Sequence, residues 1–208
     1  MLSTSMGDTG RGLVPQNGRM DQPTVTAVVL CGGAGRRFGS DKTRAPLDGR
    51  PLLDHVLDGL PPAWPVVCVG EPRPTTRPVG WCREAPPGGG PAAAVAAALP
   101  HVRSDVVVVL GGDMPYAAGP AAQLATSLAT EPEVEALVAR DGDGRLQPLL
   151  AAYRTAALRE AVPEPAAGTS LMQLLEQLHL RVVPVSEGST LDVDTAADLE
   201  RARHRLDP

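Results

Sequence analysis

The sequence predicts an α/β fold with a mostly parallel central sheet, and three observations carry that prediction. Short apolar runs rich in β-branched residues recur at Ala27 to Leu30, Pro65 to Gly70 (PVVCVG) and Asp105 to Leu110 (DVVVVL), the pattern of strands buried on both faces. Segments of helical spacing separate them, and a strand–helix–strand rhythm implies right-handed crossovers between parallel strands. The first and last of these runs empty into glycine-rich turns, at the sheet edge where open α/β folds bind ligands.

The first strand leads into Gly32, Gly33, Gly35 and Gly39, and Arg36, Arg37 and Lys42 lie within ten residues of the first glycine. Bare N–H groups in such a turn can converge on phosphate oxygens while the cations balance charge. Two better-known loops are excluded. A dinucleotide fingerprint needs glycine at 38, where Phe38 stands, and a Walker A loop needs Gly-Lys before Ser or Thr, where the chain has Asp41-Lys42-Thr43. The plainer alternative is a tight turn that uses glycine for its backbone freedom alone.

Pro51 to Leu60 places Leu52, Leu53, Val56, Leu57 and Leu60 on one helical face, with Pro51 suited to the first turn. After the second strand, a proline-rich loop (EPRPTTRP) leads to a short strand near Val79 to Arg83. Glu84 to Pro91 reads as a flexible loop, and Ala92 to Leu99 as a small-residue helix whose N-terminus is a second place to hold a nucleotide. A low-complexity alanine helix after a proline loop is the alternative. The central strand DVVVVL is followed by Gly111-Gly112-Asp113-Met114-Pro115, which sets an aspartate at the carboxyl edge, reached through two glycines that let a ligand approach. Asp113 could instead cap a helix starting near Pro115 or Tyr116.

Ala117 to Ala129 reads as a helix, Val134 to Ala139 as a strand and Asp141 to Arg145 (DGDGR) as a turn that lacks the remaining ligands of a calcium loop. Leu146 to Arg154 is a strand carrying Pro148, hence at an edge or an irregular position. Helices follow at Thr155 to Val162 and Ser170 to Leu180, the latter with Leu171, Leu174, Leu175 and Leu178 on one stripe. A last strand, Arg181 to Ser186, precedes Leu191-Asp192-Val193-Asp194-Thr195 and a helix from Ala196 to Leu206, where Thr195 and Asp198 make a capping-box-like pair.

Composition narrows the class of partner. The chain has 208 residues and is 43% hydrophobic, with one Phe, two Trp and two Tyr, so its core must be built from Val, Leu and Ala. A net charge of -5 argues against a nucleic-acid binder, yet five of the seven charged residues from Arg36 to Arg50 are cationic, which suits a small anionic ligand. Cys31, Cys68 and Cys82 are odd in number without Cys-x-x-Cys spacing, and the four histidines are scattered, so nothing suggests a disulfide framework or zinc site and a reducing cytoplasm is the expected compartment. Residues 1–22 read as a disordered tail, with Met20 a possible start, and 23–208 as one domain; no apolar run approaches the ~20 residues that cross a bilayer.

The stretch LCGGAGRRFGSDK resembles the signature Leu-Ala-Gly-Gly-x-x-x-Arg-Met/Phe-Gly-x-Asp-Lys of nucleotidyltransferases related to molybdenum cofactor guanylyltransferase, the MobA family. Gly90-Pro91-Ala92-Ala93-Ala94 resembles that family's Gly-Pro-Leu-Ala-Gly base-pocket segment without its second glycine, and Gly112-Asp113-Met114-Pro115 resembles its metal motif. Gln147-Pro148-Leu149 is similar to the segment that faces the second substrate. Asp192-Val193-Asp194-Thr195 is similar to Asn/Asp-x-Asn/Asp-Thr-Pro, with Ala196 in place of the proline. The resemblance spans roughly Val25 to Arg203 and implies a Rossmann-like three-layer nucleotidyltransferase fold.

It further implies transfer of GMP from GTP to molybdopterin with release of pyrophosphate. Leu30, Cys31, Gly32, Gly33, Gly35, Lys42, Glu84, Gly90 and Asp113 would bind the nucleotide, Arg36, Lys42 and Asp113 would be catalytic, and Asp113 with Asp194 would hold Mg²⁺. A molybdoenzyme or its chaperone is the recipient it suggests. Transfer of a cytidylyl group, transfer to a sugar phosphate, and a non-catalytic nucleotide-binding adaptor stay open at the level of sequence.

Overall fold

The computed structural model describes residues 24–32, 42–186 and 188–206. The expected tail over 1–22 and the greater part of the glycine loop lie outside the described residues.

A seven-stranded sheet runs in the order β5-β4-β1-β6-β8-β7-β9. Its strands are β1 (Val25–Leu30), β4 (Val66–Val69), β5 (Gly80–Cys82), β6 (Val106–Gly111), β7 (Ala136–Arg140), β8 (Leu146–Arg154) and β9 (Leu180–Pro184). Every pairing is parallel except the two made by β8, so the sheet is mostly parallel as its unbroken apolar runs predict. All six residues of β6 are buried, as a central strand requires.

Helices cover both faces. Against one face, Leu53, Val56 and Leu57 of α1 (Leu52–Gly59) and Ala121, Leu124 and Leu128 of α3 (Ala118–Ala129) pack on Ala27, Val29, Val106, Val108 and Leu110. On the other, Ala92, Val95 and Ala98 of α2 (Pro91–Ala98), Leu158 of α4 (Thr155–Ala161) and Leu171 and Leu174 of α5 (Leu171–Leu175) pack on Val28, Val67, Val107 and Val109. Alternate residues of one strand thus feed two cores, and the three-layer α/β expectation holds. A third, small cluster of Ala45, Leu47, Leu52, Val193 and Ala202 seats α6 (Ala196–Leu206) beside the sheet.

Two details differ from the sequence reading, and one is refined. The helix expected over Ser170 to Leu180 closes at Leu175: the Ser170–Gln173 capping box starts it, and i→i+3 bonds from Gln177 to Leu174 and Leu178 to Leu175 then tighten the chain into turns. Leu180 is drawn instead into β9 opposite Ala136, so strand pairing shortens the helix while Leu171, Leu174, Leu175 and Leu178 still pack into the core. Pro148 lies in an interior strand at an irregular position, the alternative to an edge that the sequence reading offered. The register shift between Val138 and Ala139 falls opposite it, and the β6 partners of β8 begin at Leu150, so the missing N–H interrupts neither ladder. A hairpin of β2 (Pro46–Leu47) and β3 (Arg50–Pro51), absent from the sequence reading, turns through Asp48 (φ 49°) and Gly49 (φ 74°). An Asp-Gly pair with two positive φ angles is the turn that matches the strand twist.

Candidate active site

The parallel strands β1, β4, β5 and β6 all end on one edge, and their loops carry the residues singled out from the sequence. Backbone bonds knit that edge one residue beyond the strands: Cys31 N–H donates to Val69 O at 2.9 Å, Gly112 N–H to Leu30 O at 2.9 Å and Gly70 N–H to Cys82 O at 2.9 Å. Leu30, Cys31 and Gly32 therefore leave the sheet from its centre. Of the glycine loop's expected site residues, Gly33, Gly35 and Arg36 lie outside the described residues.

Gly111 and Gly112 serve a purpose other than the expected one. A Cβ at Gly111 would come within 2.6 Å of Asp113 Oδ1, and one at Gly112 within 3.1 Å of Thr43 Cγ2, 3.2 Å of Leu30 O and 3.3 Å of Cys31 Sγ. The space is filled by the protein's own atoms, so these glycines admit the Lys42–Arg44 turn and the Asp113 side chain rather than a ligand. Asp113 does not cap a helix either, because α3 starts at Ala118 behind Ala117 without a side-chain cap.

Asp113 meets the C-terminal loop through its backbone. Val193 N–H donates to Asp113 O at 3.1 Å, and the fully buried Val193 side chain anchors that loop in the small cluster under α6. Its flanking residues Asp192 and Asp194 are thereby held at the same edge as Asp113. Lys42 completes the group, with its ammonium paired to Asp194 Oδ1. Thr195 and Asp198 form the expected reciprocal cap: Thr195 N–H donates to Asp198 Oδ2 at 2.7 Å, and Asp198 N–H to Thr195 Oγ1 at 3.2 Å.

Electrostatics joins these residues into one site. Burial pushes the Asp113 carboxyl above the usual carboxylate range; its own backbone N–H and the Lys42 ammonium pull it down, and the negative charges of Asp192 and Asp194 push it up. Burial likewise raises Asp192, reinforced by Asp194 and Asp198 and opposed by Lys42. Asp113, Asp192 and Asp194, beside the Lys42 ammonium, form an oxygen-rich cluster suited to a hard cation and an adjoining polyanion. Among the described residues, no group of three or more His, Cys, Asp and Glu side chains is arranged to hold a metal ion. Mg²⁺ needs no such protein cage, since one or two carboxylates and substrate phosphates suffice.

The remaining expected positions lie in the loop before α2. Glu84 Oε1 accepts from Gly88 N–H at 2.8 Å, so its carboxylate braces the 85–88 turn. Gly90 takes φ 94° and stands at the N-cap of α2, a conformation that favours glycine on backbone grounds, and its carbonyl accepts the Ala94 N–H at 3.0 Å. Sequence reasoning did not single out Arg73. It lies in the loop between β4 and β5, with its guanidinium carbon 5.5 Å from the centre of the Trp81 ring and a hydrogen bond to Thr43 Oγ1. Its signal was one of two arginines in a proline-rich loop, which fixes no direction.

An acidic cluster and a lysine on the carboxyl edge of a three-layer sheet mark an α/β protein suited to handling a polyanion such as a nucleotide. The profile of the MobA-like NTP transferase domain matches residues 27–182, and the chain belongs to that family. Relatives include a probable molybdenum cofactor guanylyltransferase of Deinococcus radiodurans, 34% identical over 84% of this chain and 92% of its own. Another, from Mycobacterium tuberculosis, is 33% identical over 86% of this chain and 93% of its own. Among solved structures, molybdopterin-guanine dinucleotide biosynthesis protein A from Archaeoglobus fulgidus superposes with a TM-score of 0.68 at 26% identity, covering 87% of this chain and 98% of that one. The 2-C-methyl-D-erythritol 4-phosphate cytidylyltransferase of Thermus thermophilus shares the fold at 20% identity and a TM-score of 0.64, covering 86% and 97%.

Proposed function

We propose that the chain transfers GMP from GTP to the terminal phosphate of molybdopterin and releases pyrophosphate. The acceptor oxygen bonds to the α-phosphorus, and the bond from that phosphorus to the β-phosphate bridging oxygen breaks. The reading is supported by relatives described as molybdenum cofactor guanylyltransferases that align along most of the chain. The observation that carries it is the Lys42–Asp194 pair beside Asp113 on the carboxyl edge.

Bringing two polyanions together is the chief obstacle, so positioning and charge neutralisation do most of the work. In this reading Gly32, with Gly33 and Gly35, offers backbone N–H groups to the phosphates, while Leu30 and Cys31, the latter with its N–H held by Val69 O, fix where the loop leaves the sheet; Arg36 and Lys42 neutralise charge on the transferred group. Glu84 and Gly90 shape the loop at the start of α2. Asp113 and Asp194 fit Mg²⁺ by their oxygen donors and their shared excess of negative charge. A cation held there would supply Lewis-acid neutralisation of phosphate charge. Cys31, Cys68 and Cys82 form no disulfide with one another, which supports a reducing cytoplasm as the setting, and a molybdoenzyme or its chaperone as the recipient is part of the same proposal.

The acceptor side is tested by incubating the full chain with GTP, Mg²⁺ and either molybdopterin or a sugar 1-phosphate, and weighing the products by mass spectrometry. The expected result is guanylylated molybdopterin with one pyrophosphate per product. Transfer to the sugar phosphate alone contradicts the proposal, as does tight GTP binding without any product.

A further inference from the structure

Lys42 is the charge on which the proposed reaction leans, and it stands in a single three-residue turn, Lys42–Arg44, with no long element to hold it. Thr43 is what fixes that turn. It is 5% exposed, and its methyl lies against the backbone at Gly112, where a Cβ would come within 3.1 Å of it, one residue before Asp113. Its hydroxyl accepts a hydrogen bond from the Arg73 guanidinium, which reaches across from the β4–β5 loop and lies over Trp81 of β5. The strap therefore runs from the sheet-edge indole through Arg73 and Thr43 to Lys42 and the Gly112–Asp113 peptide.

We infer that Arg73 is a positioning residue for Lys42, holding the ammonium in register with Asp113 and Asp194 by way of Thr43. An arginine suits the task because a planar guanidinium can stack on an indole and still donate in its own plane. Its energetic consequence belongs to the transition state, since a lysine displaced by a fraction of its side-chain length still binds nucleotide but no longer meets the charge that builds during transfer.

The kinetic arm of the test rests on the nucleotidyl-transfer reading; a second arm does not. Arg73→Gln removes the donor, and Thr43→Val removes the acceptor while keeping the packing volume. Each is expected to lower kcat at least ~10-fold with KM for GTP changed less than about threefold, and neither to lower it further in a Lys42→Ala background. In the protein without substrate, each is expected to speed hydrogen exchange of the Ala45 amide, which closes the turn by donating to Lys42 O at 2.8 Å, by about tenfold. Losses that add fully to Lys42→Ala, a rise in KM with kcat unchanged, or Ala45 exchange at the wild-type rate in both variants would overturn the inference. If the wild-type chain releases no pyrophosphate from any nucleotide, the transfer reading falls, and the exchange rates alone decide the positioning claim.

Discussion

At the scale of the residue, the site pairs one ammonium with carboxylates that crowd one another. If Lys42 and Asp113 each supply a preorganised charge, Lys42→Ala and Asp113→Asn should each lower turnover at least ~10²-fold while circular dichroism and melting stay close to wild type. Full activity in either variant would remove that residue from the machinery. Asp198 belongs to a different ledger, since it shapes the loop rather than touching substrate. Burial pushes its carboxyl up, but hydrogen bonds from the Thr195 side chain and from the Asp194 and Thr195 amides, with the Arg201 charge, outweigh burial and hold it below the usual range. A carboxylate depressed on folding contributes stability that is present above its unfolded pKa and lost as pH falls through the folded one. Asp198→Asn should therefore cost about 1 kcal/mol at neutral pH, and urea melts should show the gap closing as the pH drops below about 4.

At the scale of the element, arginines staple helix ends that the sequence leaves uncapped. Arg77 donates to Leu57 O, Leu60 O and Pro61 O at the end of α1, and to Pro62 O and Trp64 O at 2.9 Å each in the connection to β4. Arg154 does the same beyond α3, reaching Leu128 O, Glu131 O and Val134 O. A lysine cannot span five carbonyls in a fixed fork. Arg77→Lys should lower stability by about 1–2 kcal/mol in urea melts and leave turnover of the folded protein intact, because Arg77 lies at the amino edge of the sheet, opposite the site.

How legible these elements were depends on where their information is stored. The runs that became β1, β4 and β6 carry it locally, as β-branched residues buried on both faces, and the Thr195–Asp198 cap is spelled out within four positions. Three features depend on distant partners instead. Leu180 leaves the expected helix to pair with Ala136, Gly112 is small to admit Thr43, and Arg77 gathers carbonyls up to 20 residues away. No local pattern records such contacts. The Asp48-Gly49 hairpin was written in the sequence as a turn signal, but its two-residue strands are too short for any periodicity to show.

At the scale of the whole molecule, the sheet brings residues 31, 42, 113 and 194 to one edge although 163 positions separate the first from the last. The motif order along the chain foretold this convergence; the hydrogen bond from Val193 to Asp113 and the buried Val193 side chain explain how it is held. Fold alone does not choose the base, since a cytidylyltransferase shares it. The direct measurement is pyrophosphate release by the full chain with Mg²⁺ and molybdopterin, offering GTP, CTP, ATP and UTP one at a time. The account predicts turnover with GTP, favoured over each of the others by at least ~10²-fold in kcat/KM. Selective use of CTP, or no release from any of the four, would contradict it.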